Sequence, residues 1–322
     1  MSSGTQVNIF SLIIEKVIII LKEDKKNIFY LLYYSLLEAL LLLISPLASA
    51  VIINTVLAHA TFSIVILSSI VIVVFIGIAV LQVIKQYIME KFEQKIFVTQ
   101  AIKIAEASYN IKENPTDKAL HSYMNYFFDV VSIQKIMPLL ILNASSLIFK
   151  ILLSLIILLL FDVNLFLLAL FFAIFFTTII LFLGKNGMAF ALERSNAKHE
   201  TIYFLQNISS FPKESENFFQ KLDELLTRFV DARRNMFRVV IRQLSVTFFM
   251  EGLIMSSFFI LGGYLVFEGK MPIGEFVASE IIIISVTYSL RDFMKQIDYT
   301  YDMAEGFYKI EKLSKKLEDA HV

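Results

Sequence analysis

The chain has 322 residues, of which 57% are hydrophobic and 31 are Phe, with a mean hydropathy of +0.71. A water-soluble domain is closer to 45–50% apolar, so the excess is expected to face lipid. Net charge is zero, which gives no reason to expect a nucleic-acid partner, and the absence of Cys excludes disulfides and thiolate metal sites.

Residues 1–26 begin with a polar stretch and then the apolar run Phe10–Leu21, interrupted by Glu15 and Lys16 and followed by Lys22–Lys26. That run is too short to cross a hydrocarbon core that takes roughly 20 residues. The expectation is an amphipathic helix lying at the interface, with no cleavable leader. Residues 27–322 then read as six spans, at about 29–57, 62–84, 138–161, 164–184, 246–267 and 273–293. Spans pair through very short loops, such as His59-Ala60-Thr61 and Asp162-Val163. Two long polar arms, 85–137 and 185–245, separate the pairs.

All but two of the 29 Lys and Arg lie in the N-terminal segment, the arms, the helix ends and the tail; the exceptions are Lys150 and Lys270. By the positive-inside bias, the arms and both termini are expected on the cytoplasmic side of an inner (plasma) membrane, with the tight loops outside. Apolar residues recur at helical spacing through Ile88, Phe92, Ile96 and Ile102, and no Gly or Pro intervenes before Pro115. Glu113-Asn114-Pro115-Thr116-Asp117 is a turn signal followed by a cap, which predicts a short helix at the arm tip. The second arm repeats the plan around Asn207-Ile208-Ser209-Ser210-Phe211-Pro212.

Inside the spans, Lys150 is the isolated cation, with Glu280 and Glu251 as the expected partners and Glu38 nearer the arm side. Such residues are costly in lipid, so these four are read either as a polar substrate pathway or as structural pairs between helices. His59, His121, His199 and His321 are too scattered for a metal site, and no catalytic cluster has credible spacing.

Leu261-Gly262-Gly263-Tyr264-Leu265-Val266-Phe267-Glu268-Gly269, followed by Pro272-Ile273-Gly274-Glu275-Phe276, resembles the turn between the fifth and sixth helices of ABC exporter transmembrane domains. Ser45-Pro46-Leu47-Ala48, Ile53-Asn54-Thr55-Val56-Leu57 and Tyr126-Phe127-Phe128-Asp129-Val130 are similar to bacterial half-transporters that work beside haemolysin-type secretion partners. The resemblance implies an all-α membrane fold of six long helices forming a domain-swapped dimer. It implies an exporter permease working by alternating access, as a homodimer or with a related half-transporter and a periplasmic membrane-fusion protein.

In that family, short tip helices enter clefts on the ATPase domains. The carry-over places the contacts at Asn114, Pro115, Thr116, Asp117 and His121, and at Ser209, Phe211, Pro212 and Lys213. The sequence has no G-x-x-x-x-G-K-[ST] loop to cradle phosphates, so ATP and Mg are expected on a separate nucleotide-binding subunit. The alternative is a non-transporting scaffold or receptor derived from a transporter domain.

Overall fold

The computed structural model describes residues 24–59, 61–109, 117–208 and 217–319, with side chains described outside 61–64, 103–104, 107–109, 117–133 and 309–319. The described residues are 94% helical and contain no strand. Eight helices follow one another: α1 (Lys25–Leu57), α2 (Thr61–Tyr109), α3 (Asp117–Phe161), α4 (Val163–Leu183), α5 (Gly187–Gln206), α6 (Asn217–Phe267), α7 (Ile273–Lys295) and α8 (Ile297–Asp319). The first four and then α6 and α7 are long and apolar enough to cross a bilayer, and the protein is a multi-pass membrane protein.

Length shows where the helices project. Helices α2, α3 and α6 have 49, 45 and 51 residues. At 1.5 Å per residue each is roughly 70 Å long, more than twice the ~30 Å hydrocarbon core, so each runs unbroken from the bilayer into an arm. The short tip helix expected after Pro115 is therefore not a separate element between 117 and 161. Helix α3 begins at Asp117 and continues to Phe161, because no helix breaker follows until Pro138, which the helix accommodates.

At the opposite end the connections are tight. His59 (φ 55°) turns the chain between α1 and α2, and Gly269 (φ 67°) does so between α6 and α7. The Asp162 side chain caps α4 by accepting from the Asn164 N–H at 2.7 Å. Gly274, in the first turn of α7, lies so close to α1 that an added Cβ would sit 2.3 Å from the Ala50 carbonyl oxygen, and its N–H donates to Asn54 Oδ1 at 3.1 Å.

Helix α1 packs on α2, α3 and α7, and α7 packs also on α6 and α3. Of the span windows, 39% of residues in α7 are buried inside the protein against 6% in α2, so α7 is central and α2 forms the lipid-facing rim. Two apolar clusters organise the packing. One, around Leu158, Leu165, Phe172, Phe176, Ile254 and Phe258, joins α3, α4, α6 and α7. The other, around Leu31, Met89, Phe92, Met137 and Phe307, joins α1, α2, α3 and α8 at the arm end.

Candidate functional site

Polar groups within the span bundle fall into pairs that hydropathy does not reveal. Glu38 on α1 is buried and ion-paired with the buried Lys85 of α2. Removing one member of such a pair strands a charge, which costs far more than the pair gains. Glu251 on α6 takes Arg291 of α7 at 3.0 Å, and that guanidinium also lies over the Tyr288 ring at 4.4 Å. Lys150 on α3 donates to Ser289 Oγ on α7 at 2.5 Å.

The expected pairing of Lys150 with Glu280 or Glu251 is therefore overturned. The physical reason is register. Lys85 lies just beyond the nominal end of the second span, yet α2 continues through it and delivers its ammonium to Glu38. Arg291 stands near the arm end of α7, where α6 brings Glu251 beside it. Glu280 is left with both carboxyl oxygens buried and no hydrogen-bond partner among the described residues, at 6% exposure. Of the four intramembrane residues singled out by sequence, two stand in ion pairs, Lys150 bonds a hydroxyl within electrostatic reach of the Glu38–Lys85 pair, and Glu280 has no hydrogen-bond partner among the described residues.

Shorter polar links connect the same helices. Ser145 Oγ on α3 donates to Ser35 Oγ on α1 at 3.3 Å, and Asn143 donates to Gln296 Oε1, beyond the end of α7, at 2.6 Å. Gln243 on α6 donates to the Ile180 carbonyl of α4 at 3.2 Å and accepts from the Tyr301 hydroxyl of α8 at 3.4 Å.

A second polar centre lies outside the spans, where the second arm meets α8. Arg194 of α5 is largely buried and points its guanidinium at Asp302, at Glu305 (2.9 Å) and at Asp298 (3.7 Å). Lys198 lies 3.4 Å from Glu305. Burial works against the Arg194 charge, but hydrogen bonds and attraction from Glu305 and Asp302 outweigh it and hold the proton more tightly than in free Arg. Burial and the neighbouring Asp302 push the Asp298 carboxyl above its ordinary range in spite of Arg194.

Close contact seats α5 on α8 at this point. A Cβ on Gly187 would meet the Tyr301 ring at 2.4 Å. The arm itself is closed by Arg228–Glu200 at 2.6 Å and by stacking of Phe204 on Phe218 at 5.2 Å. The sequence reading did not identify Arg194, but it held a usable signal. Asp298, Asp302 and Glu305 stand at i, i+4 and i+7, one acidic stripe on α8 that invites a buried cation.

The proposed tip residues Asn114, Pro115, Thr116, Ser209, Phe211, Pro212 and Lys213 lie outside the described residues, as does the Phe10–Leu21 segment. Asp117 and His121 stand in the first turns of α3, with side chains outside the described set. No family model matches the sequence, and comparison with characterised proteins returns no match.

Proposed function

We propose that this protein is the membrane-spanning permease half of an ABC-type exporter. ATP hydrolysis on a nucleotide-binding unit outside these 322 residues would drive it between two facing states. The observation that carries this reading is mechanical. Three helices run unbroken from bilayer to arms, and both arms root on α8, the continuation of the last span. Force applied at the arms therefore has a stiff route to α7, the most buried span. The arms and termini are cytoplasmic in this reading, and a periplasmic membrane-fusion protein would meet the tight-loop side.

The working unit is a dimer, of two identical chains or of this chain with a related half-transporter. Lys150 and Glu280, two intramembrane ionisable groups without an ion pair among the described residues, border the substrate path. If two copies exchange second arms, the Arg194 contacts with Asp302 and Glu305 re-form between chains. The chain has no native Cys, so cysteines introduced at Lys198 and Glu305 and joined by a short bifunctional reagent report this directly. A linked dimer on a denaturing gel supports exchange, and a linked monomer rejects it.

The central test is purification of native complexes in mild detergent. The expected result is a co-purifying ATPase whose turnover falls when Pro115 or Phe211 is replaced by Ala. Complexes lacking any ATPase would falsify the exporter reading and leave a membrane scaffold or receptor.

A further inference from the structure

Between α3, α4, α6 and α7 lies a half-enclosed cavity of about 180 Å³. Its walls are apolar, formed by Leu155, Phe172, Phe176, Ile254, Phe258 and Ile283 among others. An apolar hole of roughly 150 Å³ in a protein core stays dry and takes up hydrocarbon-sized guests, so a space of this size is large enough to be occupied. At 1.5 Å per residue from the tight-loop ends of the helices, the lining runs from about 5 Å deep at Leu158 to about 25 Å at Leu290. The cavity is thus an elongated slot at mid-bilayer depth. Thr177, exposed on α4, marks its mouth toward the surrounding lipid.

Three hydroxyls line the slot, and they are not equivalent. Thr177 donates to the Ala173 carbonyl at 2.8 Å, and Thr287 donates to the Ile283 carbonyl at 2.8 Å. This return to the preceding helical turn is how Ser49, Ser69, Ser257 and Ser289 satisfy themselves elsewhere in the spans. Ser154 does not do so. Its Oγ is buried, at 3% residue exposure, and has no partner among the described residues. A buried hydroxyl left unpaired is costly, and a ligand oxygen can relieve that cost at the moment of binding.

We infer that the slot binds a small, largely apolar amphiphile bearing one oxygen, such as a medium-chain alcohol, with Ser154 Oγ as its hydrogen-bond partner. The guest enters laterally from the bilayer past Thr177, and its hydrocarbon part packs against Phe172, Phe176 and Phe258. This site is separate from Lys150 and Glu280 and does not depend on the exporter reading. Occupancy would bridge four spans, two of which, α3 and α6, continue into the arms.

The experiment is photolabelling of the full chain in vesicles with a diazirine-bearing octanol, mapped by peptide mass spectrometry, with and without excess octanol. The expected result is saturable, octanol-competed labelling on residues that line the slot. Ser154→Ala should weaken apparent affinity roughly five- to tenfold, the scale of one lost hydrogen bond. Ser257→Ala, whose hydroxyl is already satisfied by its own helix, should leave labelling unchanged. Ala173→Phe should abolish it by filling the slot. If that variant fails to fold, Ser154→Ala alone decides. Overturning results are labelling spread over lipid-facing Phe171, Phe175 and Phe182 without saturation, or saturable labelling indifferent to Ser154→Ala.

Discussion

The two arms are anchored to the bundle by different balances of apolar and ionic contact. The first arm roots through apolar packing, with Ile88, Met89, Phe92 and Ile96 of α2 set against Met137 of α3 and Ala304 and Phe307 of α8. The second meets the same α8 through a small apolar cluster, Ala191, Met236 and Val240 beside Ile297 and Tyr301, and through a largely buried guanidinium facing three carboxylates. Apolar packing is non-directional and nearly independent of pH, so it fixes the first arm as a permanent strut. A buried ionic contact depends strongly on geometry, so it holds the second arm in one register on α8. Under the proposed function, the first arm would carry load and the second would be held in register on α8.

Substitutions separate the two anchors, and the largest effect belongs to the apolar one. Phe92 is 1% exposed, and Phe92→Ala should cost about 3–5 kcal/mol of stability. The loss, read as thermal unfolding in detergent, should be the same from pH 5 to pH 8; a marked pH dependence would mean that Phe92 is coupled to the Lys85–Glu38 and Lys95–Asp24 ion pairs nearby.

Next is Arg194→Leu, which leaves Asp302 and Glu305 crowded together with only the half-exposed Lys198 ammonium beside Glu305, and should cost about 3 kcal/mol at neutral pH. The penalty is a repulsion between like charges, so protonating the carboxyls at acid pH removes it. Hydrogen exchange should show α5 opening while α2 stays protected. Equal opening of both helices would erase the distinction between the anchors.

Glu280 offers a contrast inside the bilayer. Its carboxyl oxygens are buried and unpartnered, so Glu280→Leu should stabilise the bundle by about 1–3 kcal/mol. A loss of stability instead would reveal a partner supplied by a second chain.

The smallest effect is expected for Asp298, which is partly exposed. Its folded-state carboxyl titrates above the ordinary 3.8, so protonation favours the fold. That contribution is lost as pH rises through the raised value. Asp298→Asn should raise the Tm slightly at pH 7, with the gain vanishing as pH approaches 3.8. A constant gain at all pH values would rule out titration as the cause.

Much of the fold was legible in the residues. The six spans match α1 to α4, α6 and α7 to within a few residues at their tight-loop ends, where Leu57, Phe161 and Phe267 close helices. At the arm ends the boundaries were not legible, because α2, α3 and α6 do not stop where hydropathy falls. The site was less readable. Glu38 and Glu251 read as intramembrane acids, yet their partners read as polar flanks, Lys85 as the start of the first arm and Arg291 as a helix end. Ser154 carried no signal, since a serine that bonds its own helix and one that does not look alike in sequence.

Hydropathy is a property of neighbouring residues, so the sequence alone determined six segments apolar enough to cross a bilayer, which loops are tight and where the long arms depart. Ion pairing is set by contacts between distant residues, and only the tertiary structure decided it. Glu38 meets Lys85 across 47 residues, and Arg194 reaches Asp302 and Glu305 across 108 and 111. No local pattern encodes which carboxylate a cation will meet, because helix packing rather than spacing along the chain brings the charges together. The same packing opened the slot beside Ser154 and left Glu280 without a partner.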